Sequence, residues 1–240
     1  MKTLITICAR GGSKGIPGKN IKIINGKPLI AYTIDLANKV KEMLSAKVSI
    51  STDDLGIKNI AESLGIFTEY NRPDYLASDH AGKIDTIRDL LKYEESLIEN
   101  QYDYILDLDI TSPLRNINDI QDSFKIFENN KNAETLFSVN IANRNPYFNM
   151  VEEDKNGFYS LVKTTQDGFI MTRQSAPKVF ELNASFYWYR RKFFNSNEKS
   201  PITSKSLIYK MPHMCFDLDH KIDFEFMEFL LANNKIDFTF

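Results

Sequence analysis

The feature that most constrains the fold is a short apolar run near the start of the chain that leads directly into a glycine-rich loop. Residues 4–9 predict a buried strand, and the loop after it contains four glycines and is punctuated by cations. Such a loop offers free backbone N–H donors, little steric bulk and fixed positive charge, which are the requirements for binding a polyphosphate. We therefore expect a nucleotide-using enzyme. The alternative is an ordinary surface turn after an edge strand.

This loop matches neither of the two commonest phosphate-binding motifs. A P-loop ends in Gly-Lys-Ser/Thr, whereas residues 18–20 read Gly-Lys-Asn. Gly11 and Gly12 are adjacent, so the dinucleotide-binding spacing G-x-G-x-x-G is also absent. The loop alone therefore indicates phosphate binding without identifying the nucleotide.

Composition limits the class of protein. A chain of 240 residues fits one large α/β domain or one domain with an insertion. The formal net charge is −2 and no long Lys/Arg run occurs, so nucleic acid is not an expected partner. Cys8 and Cys215 lie far apart in the sequence and are expected to be reduced thiols. We expect no signal peptide and no membrane span, and hence a cytoplasmic protein.

Strand and helix patterns alternate over the first 139 residues. Strands are predicted at 4–9, 48–52, 67–70, 104–109 and 135–139, and helices at 28–43, 57–64, 83–98 and 118–127. Asp53-Asp54 and Asn118 are predicted as helix caps. This alternation predicts an α/β fold with a mostly parallel, doubly wound sheet that has helices on both faces. In such sheets ligands bind beyond the carboxyl ends of the strands, which is where the opening loop lies.

The alternation stops after residue 139. Residues 140–182 are rich in Asn, Lys and aromatic residues and are interrupted by Pro and Gly, which predicts an insertion of short hairpins within a single domain, 1–240. The aromatic residues indicate either an interface or a small core of the insertion itself. Strands at 184–189 and 207–211 and a helix at 222–231 are then predicted.

Two pairs of aspartates stand out. Asp217 and Asp219 alternate as in a strand, so both carboxylates are expected on one face. Adjacent carboxylates repel each other unless a cation lies between them, and Mg²⁺ with phosphate oxygens would serve. Asp107 and Asp109 repeat the pattern at another strand end. The alternative for each pair is helix capping or a solvated strand end.

Hydroxyl and basic side chains follow the predicted strand ends. Thr111, Ser112 and Arg115 come directly after the strand at 104–109, and this combination suits an oxyanion or a sugar. The alternative is a turn that leads into a helix, which also uses Ser, Thr and Pro.

These segments together resemble the CMP-sialic acid synthetases, also called acylneuraminate cytidylyltransferases. The matching segments are residues 9–15 with 19–20, 72–73, 77–79, 111–115, 173–174, 183–184 and 217–219, which span nearly the whole chain in the family's order. The resemblance implies a Rossmann-like nucleotidyltransferase that transfers CMP from CTP to a nine-carbon 2-keto-3-deoxy sugar acid, N-acetylneuraminate or the related legionaminate, and releases pyrophosphate. It also implies Mg²⁺ as the cofactor and a homodimer formed through the inserted hairpins.

The resemblance also implies roles for individual residues. The implied nucleotide-binding residues are Arg10, Gly11, Gly12, Ser13, Lys14, Lys19, Asn20, Arg72 and Ser78. The implied catalytic residues are Arg10, Lys14, Asp217 and Asp219. The implied sugar-binding residues are Asp109, Thr111, Ser112, Arg173, Gln174 and Asn183. Asp217 and Asp219 are the implied Mg²⁺ ligands, with Asp109 as a further candidate.

Two positions depart from the family's pattern. Asp109 stands where well-known sialic acid enzymes have Gln, and Glu181 stands where some members carry a basic residue. Both add negative charge near an anionic substrate, which is unfavourable unless a metal or an amine compensates. Either Asp109 takes part in metal binding, as a comparable Asp does in the related CMP-KDO synthetases, or the sugar is a relative of sialic acid such as legionaminic acid. The wider alternatives are a CMP-KDO-type or other sugar nucleotidyltransferase and, in a different class, a non-catalytic nucleotide-binding module.

Overall fold

The computed structural model describes residues 2–12, 15–166 and 168–240. The chain divides into two compact units, one formed by Met1–Ser138 with Asn183–Phe240 and the other by Val139–Leu182. The insertion expected at 140–182 differs from the second unit by one residue at its start. Its expected roles in dimer formation and sugar binding stay predictions.

A six-stranded sheet organises the first unit. Its strands are β1 (Thr3–Cys8), β4 (Lys47–Ser51), β5 (Tyr104–Leu108), β6 (Thr135–Ile141), β9 (Phe180–Arg190) and β10 (Ser206–Lys210). They are arranged in the order β10-β6-β9-β5-β1-β4. β1 runs parallel to both of its neighbours, β4 and β5, so the carboxyl ends of these three strands lie at one edge. β9 runs antiparallel to β5, which is a departure from purely parallel order.

The remaining elements are short strands and helices. The short strands are β2 (Ile23–Ile24), β3 (Lys27–Pro28), β7 (Val151–Glu153) and β8 (Tyr159–Leu161). The α-helices are α1 (Leu29–Leu44), α2 (Leu55–Ser63), α3 (Asp74–Ala77), α4 (Lys83–Ile98), α5 (Ile117–Asn129) and α6 (Lys221–Ala232), and 3₁₀ turns occupy Lys19–Ile21, Arg173–Ser175 and Arg191–Asn195. None of the helices in the described residues has the length and apolar character needed to cross a bilayer.

Both faces of the sheet are covered, because alternate residues of β1 pack into different clusters. Ile5 and Ile7 belong to a core that includes residues of α1, α2, α5 and α6. Leu4, on the opposite face, packs in a second cluster with Ile84 and Ile87 of α4. The expected doubly wound, mostly parallel sheet is therefore confirmed.

Several predicted elements have different limits in the structure. No strand forms at 67–70, where Phe67 is 70% exposed, so β-propensity without a partner strand did not produce one. α5 is capped by Asn116 rather than Asn118, because the Asn116 side chain accepts hydrogen bonds from the N–H groups of Asn118 and Asp119 in a capping box. Residues 216–219 alternate in sequence but form no strand.

The second unit contains an antiparallel hairpin, formed by β7 and β8. Its aromatic side chains Phe158, Tyr159 and Phe169 are exposed. These three rings therefore do not form a small core of the unit itself.

A histidine–aspartate pair is buried between α5 and the C-terminal segment. Nε2 of His213 lies 2.9 Å from Oδ2 of Asp119, and Nδ1 lies 3.0 Å from the carbonyl oxygen of Met214. The imidazole stacks on Phe238, with ring centroids 3.9 Å apart. Burial alone would lower the pKa of His213, but the hydrogen bonds to Asp119 and Met214 raise it above its ordinary value.

We expect this pair to make stability depend on pH. Because the pKa of His213 is raised in the folded state, its contribution is full below the unfolded pKa of about 6.5 and is lost as pH rises through the folded pKa. Urea unfolding of the wild type and of His213→Gln, from about pH 5.5 to 9, measures this contribution to the free energy of unfolding. The stability difference between them should shrink with rising pH, and a difference that grows would contradict this assignment.

Candidate active site

The loop after β1 and the segment around Asp219 are in direct contact. Nζ of Lys19 donates to the carbonyl oxygen of Leu218 at 2.9 Å and lies 3.3 Å from Oδ1 of Asp219. A Cβ on Gly15 would lie 2.9 Å from the Asp219 carbonyl oxygen, so glycine permits this close approach. The amide of Leu218 donates to the carbonyl oxygen of Thr111 at 2.8 Å. Three chain segments that sequence analysis singled out are thus brought together beyond the carboxyl ends of β1 and β5.

The loop after β1 is shaped by hydrogen bonds to neighbouring side chains. The amide of Gly11 donates to Oδ1 of Asp53 at 3.0 Å, and Nδ2 of Asn20 donates to the carbonyl oxygen of Arg10 at 2.9 Å. Ser13 and Lys14, which were expected to hold the triphosphate, lie outside the described residues. The Asn20 side chain thus supports the loop, and its expected contact with the nucleotide stays a prediction.

Gly11 and Gly12 offer a matched pair of substitutions. A Cβ at Gly11 would lie 2.7 Å from Oδ2 and 2.9 Å from Cβ of Asp54, the residue whose side chain caps α2. No described atom lies within 4 Å of a Cβ at Gly12, outside its chain neighbours. We expect Gly11→Ala to destabilise the protein by about 1–3 kcal/mol and Gly12→Ala to change stability little. Equal unfolding midpoints in urea for the two variants would contradict this geometry.

Basic residues line a cavity of about 270 Å³ beside the loop. Its walls include Arg10, Arg72, Ser78, Lys83 and Asp109. Nη1 of Arg10 lies 2.9 Å from Oδ1 of Asp79. Arg72 is buried and donates from Nε and Nη2 to the hydroxyl and carbonyl oxygens of Ser51, at 2.9 and 2.7 Å. The hydroxyl of Ser78 donates to the carbonyl oxygen of Tyr75 at 3.1 Å.

Lys83 bridges the carboxylates of Asp107 and Asp109. Its Nζ lies 2.7 Å from Oδ2 of Asp107 and 2.5 Å from Oδ2 of Asp109. Burial alone would raise the pKa of Asp109, but Lys83 and hydrogen bonds from Thr111 lower it to about 2. Burial alone would lower the pKa of Lys83, but the two carboxylates raise it well above its ordinary value. The amine that sequence analysis required as compensation for Asp109 is therefore present.

Asp217 has a different environment from Asp109. Its Oδ1 is buried and has no hydrogen-bond partner among the described residues. Burial raises the pKa of Asp217, and the charges of Asp109 and Asp219 raise it further against the lowering effects of Thr111 and Lys19. Such a carboxylate is suited to a cation that arrives with the substrate.

A divalent cation fits these residues only with help from the substrate. The described residues contain no cluster of three His, Cys, Asp or Glu side chains arranged around a metal position. Asp217 supplies a buried oxygen without a partner, and Asp219 supplies an exposed carboxylate. Mg²⁺ commonly binds one or two carboxylates and completes its octahedron with water and phosphate oxygens, so the residues present fit that ion.

The hydroxyl segment after β5, residues 111–115, makes many of its hydrogen bonds within the protein. Thr111 donates from its amide and hydroxyl to Oδ1 of Asp109, at 2.8 and 2.9 Å. Ser112 is fully buried, with its hydroxyl 3.3 Å from the carbonyl oxygen of Phe216. Arg115 is also buried. The sugar contacts expected of Thr111 and Ser112 stay predictions.

The other expected sugar-binding residues are divided between the two units. In the second unit, Nη2 of Arg173 donates to the carbonyl oxygen of Asn143 at 2.7 Å, and Gln174 and Glu181 are exposed. In the first unit, Asn183 is buried, and its Oδ1 accepts from the Ser138 hydroxyl at 2.6 Å.

Lys83 is the residue at this site that sequence analysis missed. A signal was present, because Lys83 opens α4, where the helix macrodipole disfavours a cation. A lysine in the first turn of a helix therefore indicates a use outside that helix.

The sheet, the glycine-rich loop and the adjacent carboxylates define an enzyme of the nucleotidyltransferase class. Residues 4–236 match the family model described as cytidylyltransferase, and the chain belongs to that family. The predicted fold class, family and enzyme class are confirmed.

Individual relatives cover almost the whole chain. It is 39% identical to the post-translational flagellin modification protein B of Campylobacter coli, over 97% of this chain and 96% of that protein. It is 38% identical to the CMP-N,N'-diacetyllegionaminic acid synthase of Campylobacter jejuni, over 95% of this chain and 94% of that protein. A CMP:2-keto-3-deoxy-manno-octonic acid synthetase complexed with CTP shares the fold, with a TM-score of 0.69 at 16% identity over 98% of this chain and 100% of that chain.

Proposed function

We propose that this enzyme transfers CMP from CTP to a nine-carbon 2-keto-3-deoxy sugar acid, with a legionaminic acid-type sugar as the acceptor. The observation that carries the proposal is the contact between the glycine-rich loop and the segment of Asp217 and Asp219, made through Lys19. The type of acceptor follows the relative named CMP-N,N'-diacetyllegionaminic acid synthase, which is 38% identical over nearly the full length.

The residues around the loop are suited to bind the triphosphate. The amide groups of Gly12 and Gly15 and the side chains of Arg10 and Lys19 provide donors and positive charge beyond the end of β1. Lys19 now pairs with Asp219, so a phosphate oxygen would compete for its ammonium. Fixed charges of this kind stabilise phosphoryl-type transfer mainly by positioning and electrostatics.

The reaction is an in-line substitution at the α-phosphorus. The anomeric hydroxyl oxygen of the sugar forms a bond to the α-phosphorus, the bond to the bridging oxygen breaks, and pyrophosphate leaves with that electron pair while the hydroxyl proton is released. Asp217 and Asp219 would hold Mg²⁺, which would neutralise phosphate charge and lower the pKa of the attacking hydroxyl. Arg173 would bind the sugar carboxylate, because guanidinium and carboxylate form a bidentate pair.

A pyrophosphate-release assay with CTP and a panel of sugar acids tests the function. The panel contains N,N'-diacetyllegionaminate, its isomer pseudaminate, N-acetylneuraminate and KDO. We expect the highest kcat/KM with the legionaminate and a strict requirement for a divalent cation. Release with KDO alone would favour the CMP-KDO-type alternative, and CTP binding without release from any sugar would favour a non-catalytic module.

We also propose a cytoplasmic homodimer. CTP is a cytoplasmic metabolite, and the exposed rings Phe158, Tyr159 and Phe169 of the second unit suit a subunit interface. Sedimentation equilibrium of the wild type and of a Phe158→Ser/Phe169→Ser variant measures the oligomeric state. An unchanged dimer in the variant would place the interface elsewhere.

A further inference from the structure

The lysine that opens α4 is enclosed by acidic groups from β5. Lys83 contacts Asp107, whose side chain is fully buried, and Asp109, whose side chain is 21% exposed. Its Nζ also lies 5.3 Å from the centre of the Tyr187 ring, a distance typical of a cation–π contact. One ammonium thus compensates two carboxylates at the carboxyl end of a central strand.

Both oxygens of Asp109 have partners. Oδ1 accepts from the amide and the hydroxyl of Thr111, and Oδ2 is 2.5 Å from Nζ of Lys83. Asp107 is held on its other oxygen, because the Thr6 hydroxyl donates to its Oδ1 at 2.9 Å. Coordination of a metal ion by Asp109 would therefore require the ammonium of Lys83 to move away.

Asp217 contrasts with this pair. Its Oδ1 is buried and has no hydrogen-bond partner among the described residues. Asp107 and Asp109 thus share the ammonium of Lys83, whereas Asp219 pairs with Lys19 at 3.3 Å and Asp217 has no ion pair among the described residues. Asp217, which neighbours Asp219, is therefore suited to coordinate a metal ion, and Asp109 is not.

We propose that Lys83 is a positioning residue that takes the place of a second metal ion. Its ammonium holds Asp107 and Asp109 as a charge-compensated pair and keeps Asp109 from coordinating Mg²⁺. Asp109 in turn fixes Thr111, whose carbonyl oxygen accepts from the amide of Leu218 between the two metal-binding candidates. The inference rests on the proposed function only in its choice of metal.

Binding of Mn²⁺ to the protein without CTP or sugar tests this role. In Lys83→Gln, which keeps a polar N–H group in the side chain but loses the charge, Asp109 becomes available to a cation. We expect the Mn²⁺ affinity measured by calorimetry to rise at least about tenfold over the wild type. The reason is that the carboxylates of Asp107 and Asp109, once the ammonium no longer neutralises them, attract the cation. Lys83→Arg, the matched control, should keep the wild-type affinity.

A double variant tests whether Asp109 is the carboxylate that becomes available to the cation. Lys83→Gln/Asp109→Asn should return the Mn²⁺ affinity to the wild-type value, whereas a merely structural role for Lys83 would not create a metal site at all. Unchanged Mn²⁺ affinity in folded Lys83→Gln overturns the proposal. A gain that survives removal of the Asp109 charge overturns it as well.

A further comparison leaves Lys83 in place, so it does not depend on the folding of its variants. In the presence of CTP, we expect Asp109→Asn to keep the wild-type Mn²⁺ affinity and Asp217→Asn to lose it by at least about tenfold. A matching loss in Asp109→Asn would show that Asp109 is a metal ligand despite Lys83. None of these readouts uses pyrophosphate release, so failure of the proposed sugar reaction would be seen separately.

Discussion

Asp217→Asn is expected to lose pyrophosphate release while the protein stays folded. The substitution keeps the shape of the side chain but removes a charged ligand for the cation on the triphosphate. We expect kcat/KM to fall about a thousandfold, which corresponds to about 4 kcal/mol of transition-state stabilisation. The assay uses saturating CTP and the best sugar acid of the panel.

The thermal stability of Asp217→Asn should not fall with its activity. Because burial raises the pKa of Asp217, its charged form is disfavoured by the fold at neutral pH. The neutral amide avoids this penalty, so the thermal midpoint of Asp217→Asn should equal or exceed that of the wild type. Such an exchange of stability for activity is common at functional sites.

Asp122→Asn provides the matched control. Asp122 is an exposed aspartate on α5, where it pairs with Lys125 at 2.8 Å, and it is absent from the site described above. Its substitution should leave both activity and thermal midpoint near the wild-type values. Full activity in Asp217→Asn would refute its role as a metal ligand, and loss of cooperative unfolding would assign it a structural one.

Much of the fold could be predicted because its signals are local. The helix at 83–98 has the same limits in the sequence pattern and in the structure, since its apolar period is uninterrupted and Gly82 precedes it. The cap of α5 was placed two residues late although the signal was present, because Asn116 and Asp119 have the spacing of a capping box. The strand expected at 67–70 failed because strand formation needs a partner, which propensity does not reveal.

The site was predictable only in part for a related reason. The convergence of the loops followed from the rule that parallel strands present their carboxyl ends at one edge. The contacts of Lys83 with Asp107 and Asp109 depend on how α4 packs on the sheet, which spacing in sequence does not encode. The contact of Arg72 with Ser51 inside the fold could not be predicted from the sequence either. The sequence pattern indicated only a nucleotide contact for Arg72.

Arg115 shows how strongly the hydroxyl segment depends on one buried cation. The side chain is 1% exposed, and burial lowers the pKa of Arg115 to about 10. Its guanidinium donates to five acceptors: the carbonyl oxygens of Ser112, Ser185 and Asp109 and the hydroxyl oxygens of Ser185 and Thr33, at 2.6 to 3.2 Å. These bonds join the loop after β5 to β9 and α1.

Arg115→Met is therefore expected to destabilise the protein by about 3–5 kcal/mol. Methionine fills similar volume but removes all five hydrogen bonds of the guanidinium, although each of the three carbonyl oxygens keeps one other donor. A hydrogen bond from a charged group contributes about 1.5–3 kcal/mol, and the lower desolvation cost of methionine offsets part of the combined loss. The thermal midpoint should fall by about 10 °C for a chain of this size. Urea unfolding followed by circular dichroism measures the free energy of unfolding.

Two further variants make the result specific to the guanidinium. Arg115→Lys keeps the charge but can reach fewer acceptors, so it should recover only part of the lost stability. Lys125→Met removes an exposed cation on α5, with a side chain 69% exposed, and should change stability by less than about 0.5 kcal/mol. A loss below about 1 kcal/mol in Arg115→Met would mean that the loop holds its shape without this network. The expected loss instead makes the Asp109 and Thr111 positions, and with them the approach of the loop to Leu218, depend on a residue that need not touch either substrate.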